Sequence, residues 1–329
     1  MRNEILDYFR KANGQFSSGE QISRDLHVSR TAIWKHINIL KERGYIFESS
    51  TRKGYRLIYA PNLLTPLEID SALHTETFGR HVVYLSSTTS TNEEAKKIAR
   101  EGAEEGTIVV AEEQTGGRGR LTRSFYCPFA KGIWFTLILR PKFFPLEASK
   151  CTLMAAVGVC RGIRRLGLQD AGIKWPNDIL YHGKKLVGIL TEMSASMEKI
   201  DYIIIGAGIN TGMKKSEFPE LFRESATSFL AEGIDVSRKD LLAAILAELE
   251  KEYEIAQTQG FDKVLEDWKA LSVTLGQDVR VIMGEENYTG KAVDIDKDGC
   301  LLVDTGEKVE RVIAGDVSIR PIDAPLPKR

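Results

Sequence analysis

At 329 residues the chain exceeds what one ordinary core organises and calls for two or three domains. Its composition, 43% hydrophobic and 28% charged, fits a globular protein, no apolar run reaches the roughly 20 residues of a membrane span, and Met1-Arg2-Asn3-Glu4 carries no secretory signal, so no membrane partner is expected and the reading is cytoplasmic. The net charge of −1 hides an asymmetry: residues 1–60 carry 11 Lys or Arg against 6 Asp or Glu and the remainder 34 against 40, so a basic module precedes an acidic body.

Ile5, Leu6 and Phe9 stand at helical spacing and predict a first helix, broken at Gly14. Ser18 caps a second helix with Ile22 and Leu26 on its apolar side, and a His27-Val28 turn delivers Ser29 as the next cap. The third helix starts at about Arg30, turns Ile33, Ile37 and Leu40 inward and Arg30, Thr31, Trp34 and Lys35 outward, and stops at Gly44. Tyr45-Ile46-Phe47 and Tyr55-Arg56-Leu57 flank Ser49 to Gly54, a polar, basic turn of wing length. Three helices and a hairpin make a winged helix-turn-helix. A protein-interaction module is the alternative, which the basic balance disfavours.

Ala60-Pro61-Asn62 and Thr65-Pro66 read as a hinge before a mixed α/β body. Strands are predicted at His81 to Leu85, Thr107 to Glu112, Gly132 to Arg140, Gly172 to Lys174 and Ile200 to Asn210. Helices are predicted at Asn92 to Arg100, Glu147 to Leu166 and Arg238 to Gln257, and a hairpin joins Asp178 to Tyr181 with Lys185 to Leu190 around His182-Gly183. Beyond Gly276, short β-rich runs between Gly and Asp turns predict a small β-barrel. Cys127, Cys151, Cys160 and Cys300 lack metal or disulfide spacing and read as reduced and structural.

Three glycines in Gln114-Thr115-Gly116-Gly117-Arg118-Gly119-Arg120 dissolve regular structure after a strand and predict a mobile loop. Its glycines admit phosphate to the backbone, and its arginines offer planar charged donors to phosphoryl or carboxylate oxygens. A solvated basic turn fits the same spacing. In Lys174-Trp175-Pro176-Asn177-Asp178, Pro176 ends a strand and turns an amide and a carboxylate outward; Asp178 suits Mg²⁺ and Asn177 a base edge, while an Asn-Asp turn beside a core tryptophan is the plainer reading. Lys185, one stride from Val187 and Ile189, is expected on their buried side, where it needs an anionic partner unless it snorkels to the surface. Ser90-Thr91-Asn92 opens a helix as a cap or as ligand contacts, and Gly206-Ala207-Gly208-Ile209-Asn210 ends an apolar strand, where close packing explains the glycines equally well.

In this order and spacing, Ser90-Thr91-Asn92, Gly117 to Arg120, Lys174 to Asp178, Gly183 to Leu190 and Gly208-Ile209-Asn210 resemble the biotin protein ligases across nearly the whole chain, specifically the bifunctional ligase and biotin-operon repressor class (BirA type). One departure stands out: where many members carry Gly after the Gly-Arg-Gly-Arg run and Trp beyond it, this chain has Thr122 and Phe125, with Arg123 kept. The resemblance implies an α+β multidomain protein: a winged helix-turn-helix at residues 1–62, a central mixed α/β biotin/lipoate-ligase-like catalytic domain at 63–273, and a C-terminal SH3-like β-barrel at 274–329.

It further implies biotin contacts at Ser90, Thr91, Asn92, Gln114, Arg118, Gly119, Arg120, Lys185, Gly188, Gly206 and Gly208. ATP would meet Arg118, Arg120, Arg123, Lys174, Trp175, Asn177, Asp178, Lys185 and Asn210, with Mg²⁺ at Asp178. Biotin carboxylate attacks the α-phosphate, and Arg118, Arg120 and Lys185 neutralise the developing charge. Loops from about Gly116 to Phe125 and Thr211 to Thr227 close over the adenylate before a lysine of the carrier domain of a biotin-dependent carboxylase attacks it. A ligand-dependent homodimer would bind palindromic operator DNA through Ser29, Arg30, Thr31, Trp34 and Lys35, with Arg52 and Lys53 on phosphate. A lipoate protein ligase and a non-catalytic biotin-sensing transcription factor are the alternatives.

Overall fold

The computed structural model describes residues 2–42, 45–60, 62–283, 286–314 and 317–321. The chain forms two compact units, Met1–Ala72 and Leu73–Arg329.

In the first unit, helices α1 (Arg2–Lys11), α2 (Gly19–Asp25) and α3 (Arg30–Glu42) precede the hairpin β1 (Ile46–Ser50) and β2 (Gly54–Tyr59) and a short α4 (Pro66–Asp70). Ile5, Leu6, Phe9, Ile22, Ile33, Ile37 and Leu40 are buried together with Tyr45 and Phe47, and the half-buried Leu26 packs against them. Ser18 Oγ accepts the Gln21 N–H at 3.1 Å and Ser29 Oγ that of Ala32 at 3.2 Å, so both predicted caps satisfy otherwise orphan donors. The strands pair through Ser50↔Gly54, which shortens the wing tip to Thr51 to Lys53 and corrects the six-residue turn expected. Gly44 and Pro61, read as a helix stop and a hinge residue, lie outside the described residues. Thr65-Pro66 is a helix start: Thr65 caps α4 and Pro66 occupies its first turn, where a missing N–H costs nothing. The unit runs ten residues past the boundary expected at residue 62, because Leu67 joins the core and the buried Glu68 carboxylate accepts from Arg10 and the Tyr45 hydroxyl.

The second unit is built on a seven-stranded sheet, order β3-β4-β5-β9-β8-β7-β6, of β3 (Val82–Leu85), β4 (Ile108–Ala111), β5 (Gly132–Leu139), β6 (Gly172–Lys174), β7 (Asp178–Tyr181), β8 (Lys184–Ala195) and β9 (Ile200–Asn210). Only β3 and β4 are parallel, joined through α5 (Thr91–Arg100); the other neighbours run antiparallel. Ala95 and Ala99 of α5 pack on Val109, Ile138, Tyr202 and Ile204, which marks one face of the sheet. Helix α6 (Cys151–Arg165) packs against α7 (Arg238–Gln259), α8 (Asp262–Leu271) and strands β6 to β8. The helix expected from Glu147 begins instead as a tight 3-10 turn, Pro145–Lys150, before α6. Five antiparallel strands follow, β10 (Asp278–Met283), β11 (Glu286–Ile295), β12 (Leu301–Asp304), β13 (Val309–Val312) and β14 (Val317–Pro321), in the order β13-β12-β11-β10-β14.

Among the described residues no helix is long and apolar enough to cross a membrane. The four cysteines are free and buried, and burial pushes the Cys127 thiol up to about 12 and Cys160 up to about 11. Because the thiolate is the reactive form, native protein at pH 8 is expected to show no rapid reaction with a thiol-titrating disulfide reagent. All four thiols should appear on unfolding, and fast native reaction of any of them would contradict this packing.

Candidate functional site

The antiparallel register lines up one transverse row of the sheet, Trp134–Gly208–Gly188–Asp178–Lys174, contributed by β5, β9, β8, β7 and β6 in turn. The neighbouring row is Thr136–Gly206–Leu190. Side chains along a strand alternate faces, so these residues share the face that carries α5. Gly188, Gly206 and Gly208 adjoin one another on it and leave a depression where side chains would otherwise stand. A Cβ on Gly208 would come 2.7 Å from Phe125 Cε1, and one on Gly188 would come 3.0 Å from Phe125 Cε2. Phe125 thus lies on the glycine floor, edge-to-face with Trp134 at 5.9 Å.

Lys185 reaches this face by an irregularity. The β7–β8 register shifts between Ile179 and Leu180, pairing Ile179↔Val187 but Leu180↔Lys185, so Leu186 is a bulge that reverses the alternation. The expectation that Lys185 sides with Val187 and Ile189 is therefore corrected: it shares a face with Gly188, whose missing Cβ would lie 3.1 Å from Lys185 Nζ. The amine sits 2.6 Å from Asp178 Oδ1 and over the Phe125 ring at 5.6 Å. Its backbone is pinned from outside the sheet, where Lys185 N–H donates to Ser225 O at 2.8 Å and Thr227 N–H donates to Lys185 O at 2.9 Å.

The loop expected to be mobile is folded back on itself: Gly119 N–H donates to Arg123 O at 2.7 Å and Phe125 N–H to Gly117 O at 2.9 Å. Arg120 Nη1 donates to Asn177 Oδ1 at 3.4 Å, while Asn177 Nδ2 donates to Ile189 O at 2.7 Å. Trp175, joined to Pro176 by a cis peptide, is buried and donates its indole N–H to Gly299 O at 3.1 Å. Gln114 Oε1 accepts from Thr91 N–H at 2.7 Å and from the Thr91 hydroxyl at 3.1 Å, which ties the segment after β4 to the first turn of α5.

One cavity gathers the segment Ser90-Thr91-Asn92, Gln114, Arg118 to Arg120, Arg123, Lys174 to Asp178, Lys185 and the three floor glycines. Asn210 is not among its walls. It lines an adjoining cavity with Phe125, Phe218 and Phe222, and its Nδ2 donates to Thr227 O at 3.0 Å. Arg123, Phe125, Lys174, Asp178 and Lys185 border both cavities. Reasoning from sequence missed Phe125 as the lid of the glycine floor and Thr136 beneath Thr91; the second had a signal, a lone polar residue in the apolar run Gly132–Leu139. Among the described residues, no three metal-ligating side chains cluster.

In the first unit, Ser29, Arg30, Thr31, Trp34 and Lys35 are exposed on one end of α3, and Arg52 and Lys53 are exposed at the wing tip. Lys53 and Arg56 both lie over the Phe16 ring, at 5.8 and 4.8 Å, which holds the basic wing in a defined orientation.

A profile of the Biotin/lipoate A/B protein ligase family matches residues 84–210, an HTH domain matches 2–56, and the Biotin protein ligase C terminal domain matches 274–320. The chain is 40% identical to the Bifunctional ligase/repressor BirA of Bacillus spizizenii over 97% of its own length and 98% of that protein's. With the protein of the same name from Escherichia coli K12 the identity is 31%, over 94% of each. The structure of biotin protein ligase from Aquifex aeolicus in complex with biotin and ATP, 28% identical, superposes with a TM-score of 0.64 over 74% of this chain and 99% of that one.

Proposed function

We propose, from the premise that this chain belongs to the biotin protein ligase family and to its bifunctional ligase and repressor class, that the two cavities meeting at Lys185 hold biotin on one side and ATP on the other. The protein is an ATP-dependent biotin ligase that forms biotinyl-5′-AMP, passes biotin to a lysine of the biotin carboxyl carrier protein, and represses transcription in response to biotin. The observation that carries the assignment of sides is the position of the Lys185 amine, 2.6 Å from Asp178 on the border of both cavities. A cation there meets the carboxylate of one substrate and the α-phosphate of the other at the point where the new bond forms.

In this reading Ser90, Thr91, Asn92 and Gln114 face the ureido ring, and the Gly188, Gly206 and Gly208 floor takes the apolar remainder. Arg118, Gly119 and Arg120 meet the carboxylate and phosphate as charge develops. Arg123, Lys174, Trp175, Asn177 and Asp178 border the nucleotide, whose base stacks in the cavity of Phe125, Phe218 and Phe222 beside Asn210. Mg²⁺ would accompany the nucleotide, and Asp178 is the residue of this site that would help hold it, where the ion would offset phosphate charge. The domains are a DNA-binding module bounded at residue 62 by the sequence and at Ala72 by the fold, a catalytic body to 273, and a C-terminal module from 274.

The direct test is incubation with labelled biotin, ATP and a carrier domain. Label on the carrier lysine is expected, and binding without transfer would favour a sensor instead. Gly208→Ala is expected to displace Phe125 and lower transfer by about tenfold or more, since sub-ångström to 1 Å misplacement is costly in a positioning-based site. Unchanged transfer would show that the floor is not used.

For repression, we infer that ligand-dependent dimerisation presents two winged helices to a palindromic operator, with Arg30, Thr31, Trp34 and Lys35 toward bases and Ser29, Arg52 and Lys53 toward the backbone. Biotin plus ATP is expected to raise operator affinity and sedimentation mass together. Equal DNA binding by free and liganded protein would overturn the switch.

A further inference from the structure

Behind Thr91 and Asn92 on the biotin side of the site lie further polar groups that do not themselves line the cavity, the buried Thr136 and the half-buried Glu192 and Lys96. Thr136 is fully buried, and its hydroxyl lies 2.8 Å from Thr91 Oγ1 and 2.7 Å from Asn92 Oδ1. On the far side of the same amide, Asn92 Nδ2 donates to Glu192 Oε2 at 2.8 Å and to Leu190 O at 3.4 Å. The other Glu192 oxygen meets Lys96 Nζ at 2.6 Å, and Lys96 also meets Glu93 at 2.9 Å. A Cβ on Gly206 would fall 2.0 Å from Asn92 Oδ1, so that glycine is the space into which the amide fits.

Two consequences follow from this geometry. An amide has two N–H donors, and the Asn92 nitrogen meets protein acceptors on β8, so Asn92 braces α5 against β8 as well as lining the cavity. The first turn of α5 also lacks its usual restraint, because the N-cap Ser90 makes no side-chain capping hydrogen bond. What holds that turn is lateral: Thr91 to Gln114 and Thr136, and Asn92 to Thr136 and Glu192.

We propose that Glu192 is a positioning residue for biotin, acting through Asn92 to fix the Ser90-Thr91 turn that faces the ureido ring; this rests on the assignment of that cavity to biotin. Glu192 is two residues beyond Leu190 on the same face of β8 and is not a wall of the cavity. Its charge makes it the strongest acceptor available to the amide.

The test is steady-state pyrophosphate exchange with biotin and ATP varied separately, together with calorimetric biotin binding. Glu192→Ala is expected to raise the KM and Kd for biotin by about tenfold, with kcat and the KM for ATP within about twofold. Glu192→Gln keeps an oxygen for Asn92 and is expected to recover most of the loss. Lys96→Met, which removes only the ion pair, should stay within about threefold of wild type, as expected for a partly exposed salt bridge. Thr136→Val, which deletes the hydroxyl at nearly constant volume, gives the same biotin-selective change from the other side of the amide and serves if Glu192→Ala does not fold. An unchanged biotin KM in Glu192→Ala, or equal rises for both substrates, overturns the inference while leaving the ligase reading intact. Wild-type protein that neither binds biotin nor exchanges pyrophosphate overturns both.

Discussion

Lys185→Ala is expected to lower biotin-dependent pyrophosphate exchange by about a thousandfold while biotin binding remains measurable. Adenylate formation brings a carboxylate against a phosphate, and the site already holds Asp178 within 2.6 Å of the lysine amine. Removing the amine leaves three negative groups converging. The attraction between unit charges about 4 Å apart in a partly shielded site is of order 4 kcal/mol, and losing a preorganised donor to a developing oxyanion typically costs about a hundred- to a thousandfold. Biotin affinity should change less, since the ureido ring and apolar chain make most of the ground-state contacts in the proposed pose. Lys185→Arg is not expected to rescue the rate: the amine beside Asp178 is a compact point charge, and a planar guanidinium spreads its charge and directs its donors differently. Exchange at the wild-type rate in Lys185→Ala would remove the central premise of the proposed chemistry.

Arg238→Met should produce the largest loss of stability of any single change in the catalytic unit, about 3 to 5 kcal/mol. Arg238 and Glu112 are both buried, and Arg238 Nη1 lies 2.8 Å from Glu112 Oε2 while its Nε donates to Gly132 O at 2.9 Å. Burial, reinforced by the Glu112 charge and a hydrogen bond to it, pushes the nearby Tyr84 hydroxyl up to about 12, so it stays protonated and donates to the carboxylate without cancelling its charge. Methionine fills the arginine stem but takes the guanidinium away from a buried carboxylate, leaving the Glu112 charge without its cation beside the strand that leads into Gln114. The measurement is thermal and denaturant unfolding followed by tryptophan fluorescence, with Tm expected to fall by roughly 10 °C for a unit of this size. Glu112→Gln combined with Arg238→Met should regain much of the loss, because the buried charge that has lost its cation is then gone. A single variant within 1 °C of wild type would show that the buried carboxylate does not depend on the guanidinium and would overturn this expectation.

The two effects differ in how visible their causes are along the chain. Lys185 stands inside a recognisable motif, whereas Arg238 reads as an unremarkable first residue of a helix, and its partner is 126 positions away. Pairing over such a distance leaves no local periodicity to detect.

What the sequence by itself determined is everything that depends on neighbours in the chain. Ile33, Ile37 and Leu40 set the inward face of α3, Ser18 and Ser29 set its caps and those of α2, and His182-Gly183 set the turn of the β7–β8 hairpin through positive φ values of 48° and 75°. The order of the glycine and arginine motifs identified the family for the same reason, since motifs are local. Only the tertiary structure decided which strands stand side by side. The register across β5, β9, β8, β7 and β6 places Trp134, Gly208, Gly188, Asp178 and Lys174 in one row, and a single bulge turns Lys185 onto that row's face. Strand register is set by side-chain packing summed over a whole sheet, and one extra residue inverts the facing of everything on one side of it, so no inspection of Lys185 and its immediate neighbours could have placed its amine correctly.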